Sequence, residues 1–116
     1  MLRNLLSVDS QASRIAKSIQ QIRAKFREPL VVGELAQVAG MSPSTFHQHF
    51  KSVTGTTPLQ YQKDLRMIEA RALLSRGVPS VSIASFEVGY ESPTHFSRDY
   101  SRKFGCSPKN HLARAS

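Results

Sequence analysis

The sequence predicts an all-α fold of about seven helices, arranged as two helix-turn-helix subdomains joined by a long linking helix. Three observations carry this. No stretch alternates apolar and polar residues at period two, while apolar residues recur at the three- and four-residue spacing of one helix face. A cassette is written twice, SPSTFHQHFKSVTGTTP at 42–58 and SPTHFSRDYSRKFGCSP at 92–108. Within it Phe46 answers Phe96, Phe50 answers Tyr100 and Gly55 answers Gly105, each 50 positions on. Ser/Thr-Pro pairs open the predicted helices and glycines close them. The expected boundaries are 1–57 for the first subdomain, 58–76 for the linking helix and 77–116 for the second.

Asp9 or Ser10 can cap a first helix whose apolar stripe is Ile15, Ile19, Ile22 and Phe26, with Pro29 ending it. A short second helix, Val32 to Ala39, turns Leu35, Val38 and Ala39 to the core and stops at Gly40. Ser42 caps the third helix, with Pro43 at the first helical position, where its missing N–H costs nothing. Phe46, Phe50 and Val53 form its buried stripe, and Gly55 closes it. Thr57-Pro58 starts the linking helix, which draws apolar faces from Leu59, Leu65, Ile68, Ala72 and Leu73 and ends before Gly77. Its ~18 residues span about 27 Å.

The pattern then restarts. Val81 to Val88 is the second short helix, Gly89 its turn and Ser92-Pro93 the next cap. Phe96, Tyr100 and Phe104 form a buried stripe, and a last short helix begins at Pro108. The short helices match at an offset of 49 and the longer ones at 50, so the second turn holds one extra residue, around Glu91.

At 116 residues, 40% of them hydrophobic, the chain is a folded domain and not a disordered basic tail. Its single cysteine, Cys106, excludes an internal disulfide and suits a reducing cytoplasm; it reads as a small packing residue. No run approaches the ~20 apolar residues of a membrane span, so no membrane partner is expected. The formal net charge is +8, divided evenly: seven Lys/Arg against three Asp/Glu in residues 1–61, and nine against five in residues 62–116. Both halves can face a polyanion, and nucleic acid is the expected partner.

Removing the buried stripe from the two cassette helices leaves the faces that can carry chemistry. In the first they are Ser44, Thr45, His47, Gln48 and Lys51; in the second, Thr94, His95, Ser97, Arg98, Ser101 and Arg102. Such donor-rich, acid-poor helices fit a major groove. Arg98 can bond guanine O6 and N7 together, and Gln48, its counterpart, suits adenine. Thr45, His47, Thr94 and His95 can add hydrogen bonds or meet thymine methyls. Lys51, Arg102 and Lys103 lie further along and point to phosphates, as do the caps Ser42 and Ser92 through the free N–H groups that follow them. Asp99 has three roles open to it: pairing with a basic neighbour, orienting Arg98 or accepting from a cytosine amine.

Other chemistries fail on spacing. His47 and His49 lie about 200° apart on a helix, against the i,i+4 of a two-His zinc helix. No phosphate loop, nucleophile elbow or paired carboxylates occur, so no enzyme activity, metal or cofactor is expected. A basic protein-interaction module, or an anti-regulator with little DNA affinity, is the competing class; it favours exposed aromatics on the two faces.

With this organisation the chain resembles the C-terminal DNA-binding domain of AraC/XylS-type transcription regulators. VGYESPTHFSRDYSRKFGCSP is similar to the family signature in its glycine turn, Ser cap, F-S-R run and closing F-G-x-S-P. MSPSTFHQHFKSVTGTTPLQYQKDLRMIEARALL is similar to the first helix-turn-helix and linking helix, and the likeness runs from Gln11 to Ala113. The resemblance implies two recognition helices in successive major grooves of an asymmetric promoter site. It implies base contacts from Ser44, His47 and Gln48 in one unit and from Thr94, His95, Ser97 and Arg98 in the other. It further implies RNA polymerase as a partner in activation, and an effector-binding or dimerising domain in a longer regulator of which this is the C-terminal part. Two departures stand out. Many relatives carry Ile-Ala where this chain has Ala84-Ser85 followed by Phe86, a change in packing more than in contacts. Ser44 is small where some relatives place a large residue, so the first unit is expected to read bases more softly.

Overall fold

The computed structural model describes the backbone of residues 2–115 and the side chains of residues 11–115. Within them it is all-helical: α1 (Leu2–Lys25), α2 (Val32–Ala39), α3 (Pro43–Thr54), α4 (Pro58–Ser75), α5 (Val81–Glu87), α6 (Pro93–Phe104) and α7 (Pro108–Ala115). The chain divides into two compact units, residues 1–25 with 30–62, and residues 26–29 with 63–116. Each unit contains one helix-turn-helix, α2–α3 and α5–α6.

In the first unit α1 begins at Leu2, so Asp9 and Ser10 lie inside the helix and not at its cap. The segment ahead of them holds Leu and Arg, good helix formers, and no Gly or Pro to stop the helix. Its buried line is Ile15, Ser18 and Ile22, with Ile19 only half-buried. A serine is tolerated there because Ser18 Oγ donates to the Leu35 carbonyl at 2.7 Å, so the buried hydroxyl is not left unpaired. Leu35, Ala36 and Ala39 from α2 and Phe46 and Phe50 from α3 complete this core. Val38 and Val53, expected inside, are 39% and 51% exposed. Around the helix axis Val38 lies about 100° from Ala39 and Val53 about 60° from Phe50, off the face that meets α1.

The second unit packs Met67, Ala70 and Leu74 of α4 against Ala84, Val88, Phe96 and Tyr100. The inward stripe of α4 is therefore i, i+3, i+7 through a methionine and an alanine, and the larger Leu59 and Ile68 are more than half exposed. Size alone misassigned the face: close helix packing rewards the small Ala70 over a branched residue. Phe104 is half-buried, with the Arg71 guanidinium 4.6 Å over its ring.

The punctuation repeats with the cassette. Ser42 and Ser92 accept from the backbone N–H of Thr45 and His95, both at 3.3 Å. Thr57 and Ser107 do the same for Gln60 and Asn110 at 3.2 and 3.1 Å. Helices α2 and α5 end alike: Gly40 N–H bonds the Gln37 carbonyl and Met41 N–H the Ala36 carbonyl, as Gly89 does Phe86 and Tyr90 does Ser85. These paired bonds form the Schellman arrangement that turns the chain out of a helix through a left-handed glycine. The extra residue of the second turn is present: one residue lies between Gly40 and Ser42, and two between Gly89 and Ser92.

Candidate nucleic-acid interface

The cap-and-stripe geometry decides which side chains of α3 and α6 face outward. With Phe46 and Phe50 fully buried, Ser44, Thr45, His47, Gln48 and Lys51 are exposed on α3. With Phe96 and Tyr100 fully buried, Thr94, His95, Arg98 and Arg102 are exposed on α6, and Ser97 and Ser101 are half-buried. Every base-contact candidate thus falls on the open face of its helix, with Ser97 the least accessible.

Hydrogen bonds within each unit modify the roles open to them. Ser42 Oγ accepts the Thr45 N–H and donates to Thr45 Oγ1 at 3.0 Å, so its hydroxyl proton is already committed. Thr45 keeps its own proton to donate. Among the described residues Arg98 and Arg102 have no acidic partner within ion-pair distance. Lys103 does: its Nζ lies 3.2 Å from Asp64 Oδ1. An exposed pair of this kind is worth at most ~1 kcal/mol, so a phosphate can displace it, at some loss to the phosphate contact.

Asp99, left with three roles by the sequence, accepts from Tyr90 Oη at 2.8 Å. Burial first, and the bond to Asp99 second, push the Tyr90 hydroxyl well above its ordinary range, so it stays protonated and donates. The Tyr90 ring meets Phe96 edge-on at 5.4 Å, and the Arg66 guanidinium lies 5.7 Å from its centroid. Arg66 is itself held by backbone: Nε donates to the Phe26 carbonyl at 2.7 Å and Nη2 to the Glu28 carbonyl at 3.1 Å. Burial lowers the Arg66 pKa, offset in part by Tyr90. Turning Asp99 inward removes the one acid from the α6 reading face. Sequence reasoning passed over Tyr90 and Arg66. The available signal was a phenol in the lengthened turn nine residues before a lone carboxylate.

Two capped helices, each preceded by a short helix and a glycine turn and each presenting a basic, donor-rich face, define a tandem helix-turn-helix domain. A family model described as "Helix-turn-helix domain" matches residues 35–114. The chain belongs to the AraC-type family of helix-turn-helix regulators. It is 36% identical over 101 residues to the RCS-specific HTH-type transcriptional activator RclR of Escherichia coli strain K12, covering 87% of this chain and 36% of that protein. It is 33% identical over 97 residues to the transcriptional activator RhaS of Escherichia fergusonii, covering 84% and 35%. The chain spans about a third of the length of these curated relatives. Its fold is similar to a probable AraC family transcriptional regulator from Rhodopseudomonas palustris, at TM-score 0.81 and 30% identity over 89% of this chain and 97% of that one. It is also similar to the DNA-binding domain of AdpA, a global transcriptional factor solved with a target DNA, at TM-score 0.79 and 31% identity over 86% and 90%.

Proposed function

We propose that this chain binds double-stranded DNA sequence-specifically at promoters and regulates transcription, with α3 and α6 as recognition helices in successive major grooves. The observation that carries this is the matched pair of exposed faces: Ser44, Thr45, His47 and Gln48 on one helix, and Thr94, His95, Ser97 and Arg98 on the other. Ser42, Lys51, Ser92, Arg102 and Lys103 meet phosphates in this reading. Arg98 carries the most discrimination, because its fork satisfies two guanine acceptors and, among the described residues, no carboxylate is within ion-pair distance of it. The target DNA bound by AdpA supports the partner class.

The two faces differ in armament, so the expected site is asymmetric, with a firmer half read by α6 and a softer half read by α3. RNA polymerase is a further partner in this reading, supported by the activator names of the relatives. So is an effector-binding or dimerising domain, since those relatives are far longer than this chain. The site of action is the cytoplasm; among the described residues no helix is long and apolar enough to cross a membrane. Catalysis has no part in it, and the relatives are named as transcription regulators. A protein-docking function would favour aromatics on the recognition faces, whereas Phe46, Phe50, Phe96 and Tyr100 are fully buried.

Selection of bound sequences from a random duplex library tests the reading. Two enriched motifs about one helical turn, roughly 10 base pairs, apart are expected. Recovery of no enriched sequence would overturn it.

A further inference from the structure

Asp99 stands beside the strongest base-reading candidate yet turns away from it. We propose that Asp99 is a positioning residue: through Tyr90 it fixes how α6 lies against its own turn, so the preference of Arg98 depends on a side chain that touches no base. This rests on the DNA-binding reading above.

The anchorage can be followed atom by atom within the second unit. Asp99 is midway along α6, and Tyr90 is in the turn before it, so their 2.8 Å bond ties the helix body to its own entry. A bond two turns beyond the cap opposes rotation of the helix about its axis, adding to the restraint of the buried Phe96 and Tyr100. The turn itself lies directly against a neighbouring stretch of backbone. A Cβ on Gly89 would lie 2.3 Å from the Arg27 carbonyl oxygen, so the two backbones are in direct contact. Arg27 Nε donates to the Glu87 carbonyl at 3.1 Å. Arg66 then reaches the same short segment through Phe26 and Glu28 while its guanidinium faces the Tyr90 ring. The path therefore runs from the backbone of residues 26–29 through Arg66 and Tyr90 to Asp99, and Arg98 is its neighbour. Recognition needs a bidentate side chain held within a fraction of an ångström, which such a support supplies.

The first unit has no equivalent. Its matched positions are Met41 and His49, a pair with neither a hydroxyl donor nor a carboxylate. A directly reading Asp99 would need its carboxylate outward, and the repeated geometry of the cap and stripe does not prevent that; the Tyr90 bond does.

The test compares Tyr90→Phe, Asp99→Ala, Asp99→Asn and the Tyr90→Phe/Asp99→Ala double variant of the full chain. Gel-shift titration on the selected duplex and library selection give the DNA readouts; amide hydrogen exchange on the free protein gives an independent one. Tyr90→Phe keeps the ring and its packing, so it removes only the hydroxyl. Tyr90→Phe and Asp99→Ala are each expected to lower affinity for the selected site about five- to tenfold and to broaden preference in the α6 half. Binding to random duplex should stay unchanged. Asp99→Asn keeps an acceptor for the phenol and should stay near the parent, and the double variant should be no worse than either single one. In the free protein both changes should speed amide exchange along α6 and leave α3 alone. If Asp99→Ala and Asp99→Asn both shift preference at one base pair while Tyr90→Phe does nothing, Asp99 reads directly and the proposal fails. It also fails if exchange along α6 is unmoved. Failure of the parent chain to select any duplex would defeat the DNA-binding reading instead, with the exchange measurement still deciding whether Asp99 positions α6.

Discussion

The two helix-turn-helix units share caps, stops and aromatic pairs, and they hold their recognition helices differently. In the first, α3 is fixed by packing: Phe46 and Phe50 are 5.5 Å apart, and Phe50 meets Tyr61 edge-on at 5.8 Å. Its turn, at Gly40, has no atom close to where a Cβ would be placed. In the second, the turn is one residue longer and pressed against the Arg27 backbone; Arg27 bonds the Glu87 carbonyl, Tyr90 bonds Asp99, and the Arg66 guanidinium lies over the Tyr90 ring. At the far end Thr54 closes α3 with a 2.8 Å bond to the Phe50 carbonyl, where α6 has Phe104 tilted against Tyr100, ring centroids 4.7 Å apart. One scaffold thus supports a loosely built reader and a tightly built one. The tight one carries Arg98, and in the proposed reading its two-pronged contact would be the one most sensitive to small displacements.

The largest difference should come from the paired turn glycines. Gly40→Ala places a side chain at φ 67° in open space, so only the left-handed penalty applies, about 1–2 kcal/mol. Gly89→Ala adds a contact at 2.3 Å with a backbone oxygen that cannot swing aside, and should cost roughly 3 kcal/mol or more. Denaturant unfolding of both variants measures the contrast; equal losses would show that residues 26–29 yield freely to the turn.

Next in size is the contrast between the readers. Arg98→Ala should lower specific affinity by about 1–3 kcal/mol and relax preference at one base pair. Gln48→Ala should fall at the bottom of that range, ~1 kcal/mol, in keeping with the softer face around Ser44. Lys51→Ala should weaken all duplexes alike and reduce the salt slope by about one. A larger loss from Gln48→Ala than from Arg98→Ala, in parallel gel shifts, would reverse the assigned order.

These contrasts also mark how far the sequence could be read. Helix number, the caps and the turn glycines were legible because each rests on local chemistry: a hydroxyl reaching the N–H three residues on, or a φ that only glycine adopts cheaply. The outward faces of α3 and α6 were legible because large aromatics at i,i+4 define the inward ones. What failed depended on which small residue met which neighbour. Ser18 is buried because a carbonyl from α2 is there to receive it, and Ala70 is buried where Ile68 is not, through close packing of α4 in its unit. The Tyr90–Asp99 bond was hidden for the same reason, since its meaning depends on Arg66 and on a backbone segment some 60 residues earlier.

A smaller effect, of opposite sign, comes from the short helices. Ser85 in α5 stands where Ala36 stands in α2, at the offset of 49, and both are buried. Among the described residues Ser85 Oγ has no hydrogen-bond partner. A buried hydroxyl without a partner costs about 1–3 kcal/mol in desolvation, so Ser85→Ala should stabilise the chain by ~1 kcal/mol. Phe86, the next residue, is 56% exposed, outside the core. A denaturation midpoint that falls with Ser85→Ala would mean the hydroxyl is satisfied in solution, for instance by water.

The smallest predicted difference is one of pH. The second unit holds two phenols above their ordinary value of 10.0. Tyr90 is raised by burial and by Asp99, against Arg66; Tyr100 is raised mainly by burial, against Arg71, and shares a hydrogen bond with His111 Nδ1. A phenol that binds its proton more tightly folded than unfolded contributes stability that is complete below the unfolded pKa. That contribution disappears as pH rises through the folded pKa, because unfolding then releases protons. Stability should accordingly decline above pH ~10. The comparison with Tyr90→Phe isolates the contribution of that phenol. That variant should start less stable at pH 8 and lose less between pH 9 and pH 11, so that the two denaturant-midpoint curves converge at the alkaline end. Parallel curves would mean that Tyr90 ionises as readily in the folded chain as in the unfolded one. The bond that orients α6 would then be too weak to distinguish the two units at all.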